Sequence, residues 1–143
     1  MIALASFSGK MSTFGGPDDP GVGLHEGLAL YDTPQQFDAL GLSHLLLDTA
    51  FSTWPTIGLA RLLNPESYYI ACRWDEHLRY NPLWLRSAKI TVSNQATGSS
   101  INCHAVDYGP ASWTHRCADL SPGAAAKLFL CTDDLCSVTV WQL

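Results

Sequence analysis

The sequence predicts a mainly β domain, in which six or so short strands form a β-barrel with short helices appended. Three observations predict it. β-Branched and aromatic residues recur in runs with inside/outside alternation, as in YYIACRW, AKITVS and VTVWQL. Clusters of Gly, Pro, Asn and Asp separate these runs at short spacing. The helical signals are brief and carry start and stop residues. With 143 residues, 47% of them hydrophobic and 15% charged, the chain suits a single domain over 1–143 with a core of its own.

The first strand is expected over 3–14, ALASFSGKMSTF, anchored by Phe7 and Phe14. GGPDDPG at 15–21 is a loop by composition. Asp32-Thr33-Pro34 starts a helix over 35–40, with Phe37 and Leu40 on one face and Gly41 at its end. The three leucines at 45–47 suit a strand, and 57–63 a short helix ahead of Asn64-Pro65. Residues 68–74 form a strand and 75–82 a polar loop. Residues 88–93 and 100–106 are strands joined by the Asn-Gln-Ala-Thr-Gly turn at 94–98. The chain closes with a strand over 138–143.

The stretch at 101–128, INCHAVDYGPASWTHRCADLSPGAAAKL, organises the rest. Asp107 follows a strand and precedes Tyr108-Gly109-Pro110, so it sits where the strand opens into a loop. Asp119 ends a second strand; Ser121 then caps, and Pro122 opens, a short helix running to Leu128. Paired carboxylates are what glycan cleavage needs, one as acid and the other as base or stabiliser of a cationic sugar. Two plainer roles are open: Asp107 can cap its turn, and Asp119 can bond the amides of the helix after it. Tyr108 and Trp113 in the intervening loop can stack on sugar rings or pack the loop, and His115 lies beside them. Trp54, Trp74, Trp84 and Trp141 are expected as core or interface anchors.

Five cysteines, Cys72, Cys103, Cys117, Cys131 and Cys136, leave at least one unpaired in a monomer. Reduced, buried thiols are expected ahead of disulfides, although Cys103 and Cys117 could face each other across the turn. The Cys103-His104 and His115-x-Cys117 pairs lack the Cys-x-x-Cys spacing of a structural zinc site, so no metal and no cofactor are expected. A net charge of −5 gives no nucleic-acid footprint, and no run is long and apolar enough for a membrane span. The opening MIALASFSGKM lacks the basic start and unbroken apolar stretch of a signal peptide, so none is expected.

The segments VDYGP and RCADLSPGAAAKL resemble the paired DRGP and DLS-x-x-AA-x-x-L motifs of the RlpA-like double-psi β-barrel family, whose fold is shared by barwin and expansin domain 1. AKITVSNQATGSSINCHAVDYGP is similar to the family's strand, Asn-turn and strand leading to its Asp. The resemblance implies a six-stranded double-psi barrel with 33–64 as a helical insertion in it. It implies Asp107 as a catalytic acid, Asp119 in the glycan groove, and Glu26 as the nearest equivalent of the family's loop glutamate. The family's histidine before the third strand aligns with Asn81, with His77 nearby. The implied function is a peptidoglycan-directed, lytic-transglycosylase-like domain acting at the bacterial cell wall. Without a signal peptide, a phage virion or tail, or release by lysis, is the expected setting. The alternative is a non-catalytic structural or binding module on the same barrel, in a phage tail, baseplate or capsid. The expected partners are peptidoglycan or another polysaccharide, and other virion proteins, with no nucleic acid and no membrane.

Overall fold

The computed structural model describes residues 1–74 and 81–142. His77 and nearly all of the polar loop expected over 75–82 lie outside the described residues. Six strands, β1 (Ile2–Thr13), β2 (Tyr69–Cys72), β3 (Lys89–Asn94), β4 (Ser100–Tyr108), β5 (Arg116–Leu120) and β6 (Leu135–Gln142), close into a barrel. Their order around it is β1–β5–β2–β4–β3–β6. The β1/β5 and β2/β4 pairs are parallel, and the other four are antiparallel.

Alternation sets the register. Ile90, Val92 and Asn94 of β3 are buried, as are Cys136, Val138 and Val140 of β6. They meet as Ile90↔Val140, Val92↔Val138 and Asn94↔Cys136, so inward residues oppose inward residues. A slip of one residue would turn the inward set of the slipped strand to solvent, at about 2 kcal/mol for each large side chain exposed. β2 is buried along its whole length, with the barrel interior on one face and loops and helices on the other. The Asn turn forms as expected: Asn94 accepts from the Ala96 N–H and donates to the Leu128 carbonyl.

Helices α1 (Pro34–Ala39), α2 (Ala50–Thr53) and α3 (Leu59–Leu62) lie between β1 and β2. Thr33 and Gln36 form a capping box at the start of α1. Its end is a Schellman closure, with Gly41 at φ +70 and the Gly41 and Leu42 N–H groups donating to the Asp38 and Phe37 carbonyls. Phe37 is fully buried and stacks on Tyr31 at 3.7 Å. Leu40 is 45% exposed and does not share that buried face. The short α4 (Pro82–Leu85) is capped by Asn81, whose side chain accepts from the Trp84 N–H. The helix expected after Asp119 is α5 (Pro122–Lys127). Among the described residues, no helix is long and apolar enough to cross a membrane.

Several boundaries differ from expectation. Residues 45–47 are not a strand: Ser43–Leu45 form a 3-10 turn, and only Leu46 bridges to Leu63. Three leucines satisfy helix and strand patterns alike, and burial of Leu45 and Leu46 in the helical layer decides between them. Gly58 is extended, which shortens the 57–63 helix to Leu59–Leu62. β2 stops at Cys72 because Arg73 and Trp74 turn to the loop after β4. Arg73 donates to the Pro110 and Arg116 carbonyls, and the Trp74 indole N–H to the Asp107 carbonyl. β6 begins three residues early, at Leu135, since the Cys131–Asp134 turn delivers the chain straight into pairing with β1.

Candidate functional site

β2 runs between β4 and β5, and this brings the two aspartates together. Ala71 pairs with Asp107 on β4 and with Asp119 on β5. Residues in register across a sheet share a face, so both carboxyl groups project beside the small, buried Ala71. A bulge on the β4 side, where Ile70↔Ala105 is followed by Ala71↔Asp107, aims Asp107 to that face. Val106, the extra residue, goes into the core.

Both carboxyls are half-buried and held well above the usual 3.8. Burial lifts Asp107 to about 6, opposed by the Ala29 N–H and reinforced by Glu26. Burial also lifts Asp119 to about 6, with Arg116 and Arg73 pulling it down and Asp107 and Asp19 pushing it up. The charge of Asp107 thus disfavours ionisation of Asp119, and Glu26 does the same to Asp107. Asp107 Oδ1 accepts from Ala29 N at 2.7 Å. Asp119 makes no side-chain hydrogen bond among the described residues, and a Cβ on Gly109 would lie 3.8 Å from its Oδ2.

Glu26 is exposed on the loop that brings Ala29 to Asp107, close enough to act on it electrostatically. Two carbonyls anchor that loop to the start of α3: Gly58 N donates to Leu24 O and Ala60 N to Glu26 O. A Cβ on Gly58 would fall 2.3 Å from Glu26 O, so this approach requires glycine. Asp19, whose carboxylate accepts from the Gly15 and Gly21 amides, fixes the other loop bearing on Asp119.

Beyond the pair, Tyr108 at the end of β4 is 44% exposed, and Trp113 on the loop between β4 and β5 is 80% exposed. His115 follows the 3-10 turn Ser112–Thr114 in a left-handed conformation. It lines a cavity of about 210 Å³ with Arg73, Arg116 and Cys117. Of the other tryptophans, Trp74 is buried and Trp54 and Trp84 pack against the core, while Trp141 donates to Thr91 Oγ1.

His104 takes no part in this site. Its ring packs edge-on to His44, 6.0 Å away, where β4 meets the helical layer. No His, Cys, Asp or Glu grouping among the described residues could hold a metal ion. The five cysteines are thiols, and Cys117 meets Cys136 rather than Cys103.

Arg73, Arg116, Asp19 and the Ala29 amide were not singled out from the sequence. Arg73 directly follows the YYIAC strand, which is the one signal that could have suggested it.

The geometry defines a closed six-stranded β-barrel with two aspartates in register on either side of Ala71 in β2. No family model matches the chain, and no curated protein matches it.

Proposed function

We propose that the chain is an RlpA-like glycan-cleaving domain directed at peptidoglycan, lytic-transglycosylase-like, and part of a phage virion or tail. The observation that carries the reading is the pair Asp107 and Asp119, flanking Ala71 with both carboxyls at about 6. Two carboxyls raised into this range supply what bond cleavage requires: one carboxylic acid to protonate the leaving oxygen and one carboxylate to take a proton or steady a cationic sugar. Asp107 is the acid/base. Glu26 raises its carboxyl further, and Asp119 faces the developing positive charge. Tyr108 and Trp113 offer stacking faces, and His115 a hydrogen-bonding edge, for sugars on either side.

One observation favours the second reading, a non-catalytic structural or binding module. Asp107 ties down the Ala29 loop, which is a structural task by itself. Incubation with purified peptidoglycan separates the two. Release of anhydro-muropeptides, read by mass spectrometry, is expected of the enzyme. Retention on the sacculus without any release would sink the enzymatic reading and leave the binding module.

A further inference from the structure

Cys117 and Cys136 lie on strands that do not pair with each other, yet their sulfurs are 3.9 Å apart. β1 runs between the two strands, and Gly9 makes this approach possible. Gly9 pairs with Cys136 on β6, and a Cβ on it would stand 3.2 Å from Cys117 Cβ and 3.4 Å from Cys117 Sγ. The two thiols therefore meet across the one position of β1 that has no side chain. Cys117 is also the bulge residue of β5, skipped between Lys10↔Arg116 and Met11↔Ala118.

β1 extends past the start of β5 at this point. β1 pairs with β6 along Ile2–Lys10 but with β5 only from Lys10 onward. The slot left where β5 begins is the 210 Å³ cavity lined by Phe7, Ser8, Gly9, Arg73, His115, Arg116 and Cys117. Cys117 is half-buried and reaches this slot, whereas Cys136 is fully buried behind it. Cys117 is held below the ordinary thiol value, first by the hydrogen bond from Cys136, then by its own backbone N–H and by Arg73; burial and Asp119 oppose this. The Cys136 thiol is pushed far up by the same bond and by burial. A half-buried thiol in a small opening beside Arg73 and Arg116, backed by a second thiol, matches the layout of an oxidation-sensitive site.

We propose that Cys117 is a peroxide-reactive thiol and that Cys136 resolves its oxidised form into a Cys117–Cys136 disulfide. The Cys117 thiolate attacks one peroxide oxygen; an S–O bond forms, the O–O bond breaks, and hydroxide leaves, taking a proton to become water. Arg73 and Arg116 face the negative charge as it moves to the departing oxygen. The Cys136 sulfur then attacks the Cys117 sulfur; the S–S bond forms, the S–O bond breaks and a second water leaves. Two thiols are oxidised and one peroxide is reduced. Closing the bond draws the sulfurs together by about 2 Å, which pulls β5 and β6 toward each other over Gly9.

The test is treatment of the folded protein with equimolar hydrogen peroxide, followed by alkylation and peptide mapping. Exposure alone would make Cys131 the reactive residue, since it is the exposed cysteine. The expected result is a product lighter by two hydrogens, with Cys117 and Cys136 joined and Cys131 still alkylated. Cys136→Ser should stop the reaction at a Cys117 sulfenic acid that dimedone traps, and Cys117→Ser should abolish both products. If either variant fails to fold, the wild-type peptide map still decides. Oxidation at Cys131 with Cys117 and Cys136 untouched, or no oxidation of Cys117, overturns the proposal.

Discussion

Asp107 and Asp119 are both register partners of Ala71, one through the parallel β2/β4 pair and the other through the antiparallel β2/β5 pair. Strand order thus places them on either side of Ala71. The shared environment has a cost that pH should reveal. Each carboxyl is raised from 3.8 to about 6 by burial. Between these values the folded chain holds protons that the unfolded chain releases. The associated stability is fully present below about pH 4 and lost as pH rises through about 6. Asp119→Asn removes this loss at one position. It should be more stable than the wild type by about 1–2 kcal/mol near pH 8, after discounting for partial exposure, and equal to it near pH 4. Urea midpoints at the two pH values check this; a variant no more stable at the higher pH counts against it.

Ser121 joins the helix to the strand that carries Ala71. Its Oγ accepts from Ala124 N at 3.1 Å and from Tyr69 N at 3.3 Å, and its own N–H donates to Tyr69 O. Ser121→Ala leaves two buried amides without that acceptor and should cost about 2 kcal/mol. Chemical denaturation measures it, and a loss under about 0.5 kcal/mol, the size of an ordinary surface change, would mean that the cap contributes little.

Gly58 holds the Glu26 loop at backbone contact distance. In Gly58→Ala the new methyl would stand 2.3 Å from Glu26 O, so the loop must move. Overpacking of this kind costs about 1–3 kcal/mol. The shift should also loosen the Ala29 N–H from Asp107. Faster amide exchange at Ala29 is the expected signature, and unchanged exchange there would show that the loop is held by other contacts.

Trp113 is 80% exposed, so Trp113→Ala should change stability by less than about 0.5 kcal/mol. Retention on peptidoglycan should fall by roughly three- to tenfold, as expected for about 0.5–1.5 kcal/mol of lost ring stacking. Sedimentation with sacculi reads this directly. Unchanged retention would assign Trp113 to another surface.

The strands that alternate cleanly, β3 and β6, were legible because one face of each is buried and the other is not. The α5 start was legible from Ser121-Pro122, and both aspartates from their place at strand ends. What stayed hidden depends on which strands become neighbours. The parallel β2/β4 and β1/β5 pairs arise between distant segments, and no local pattern encodes them. The Ala29 amide on Asp107 bridges 78 residues, and Arg73 reaches its acceptors across 37 and 43. The Cys117–Cys136 approach was missed for the same reason: turn spacing suggested Cys103 as the partner, whereas the gap at Gly9 on a third strand selects Cys136.

The most direct test of the glycan-cleaving reading compares wild type and Asp107→Asn on purified peptidoglycan near pH 6. The amide keeps an acceptor oxygen for Ala29 N, so the loop remains in place while the titrating group is lost. Release of anhydro-muropeptides by the wild type, falling at least about a hundredfold in the variant, is the predicted result. Equal release by the two proteins, or none by the wild type, would contradict it.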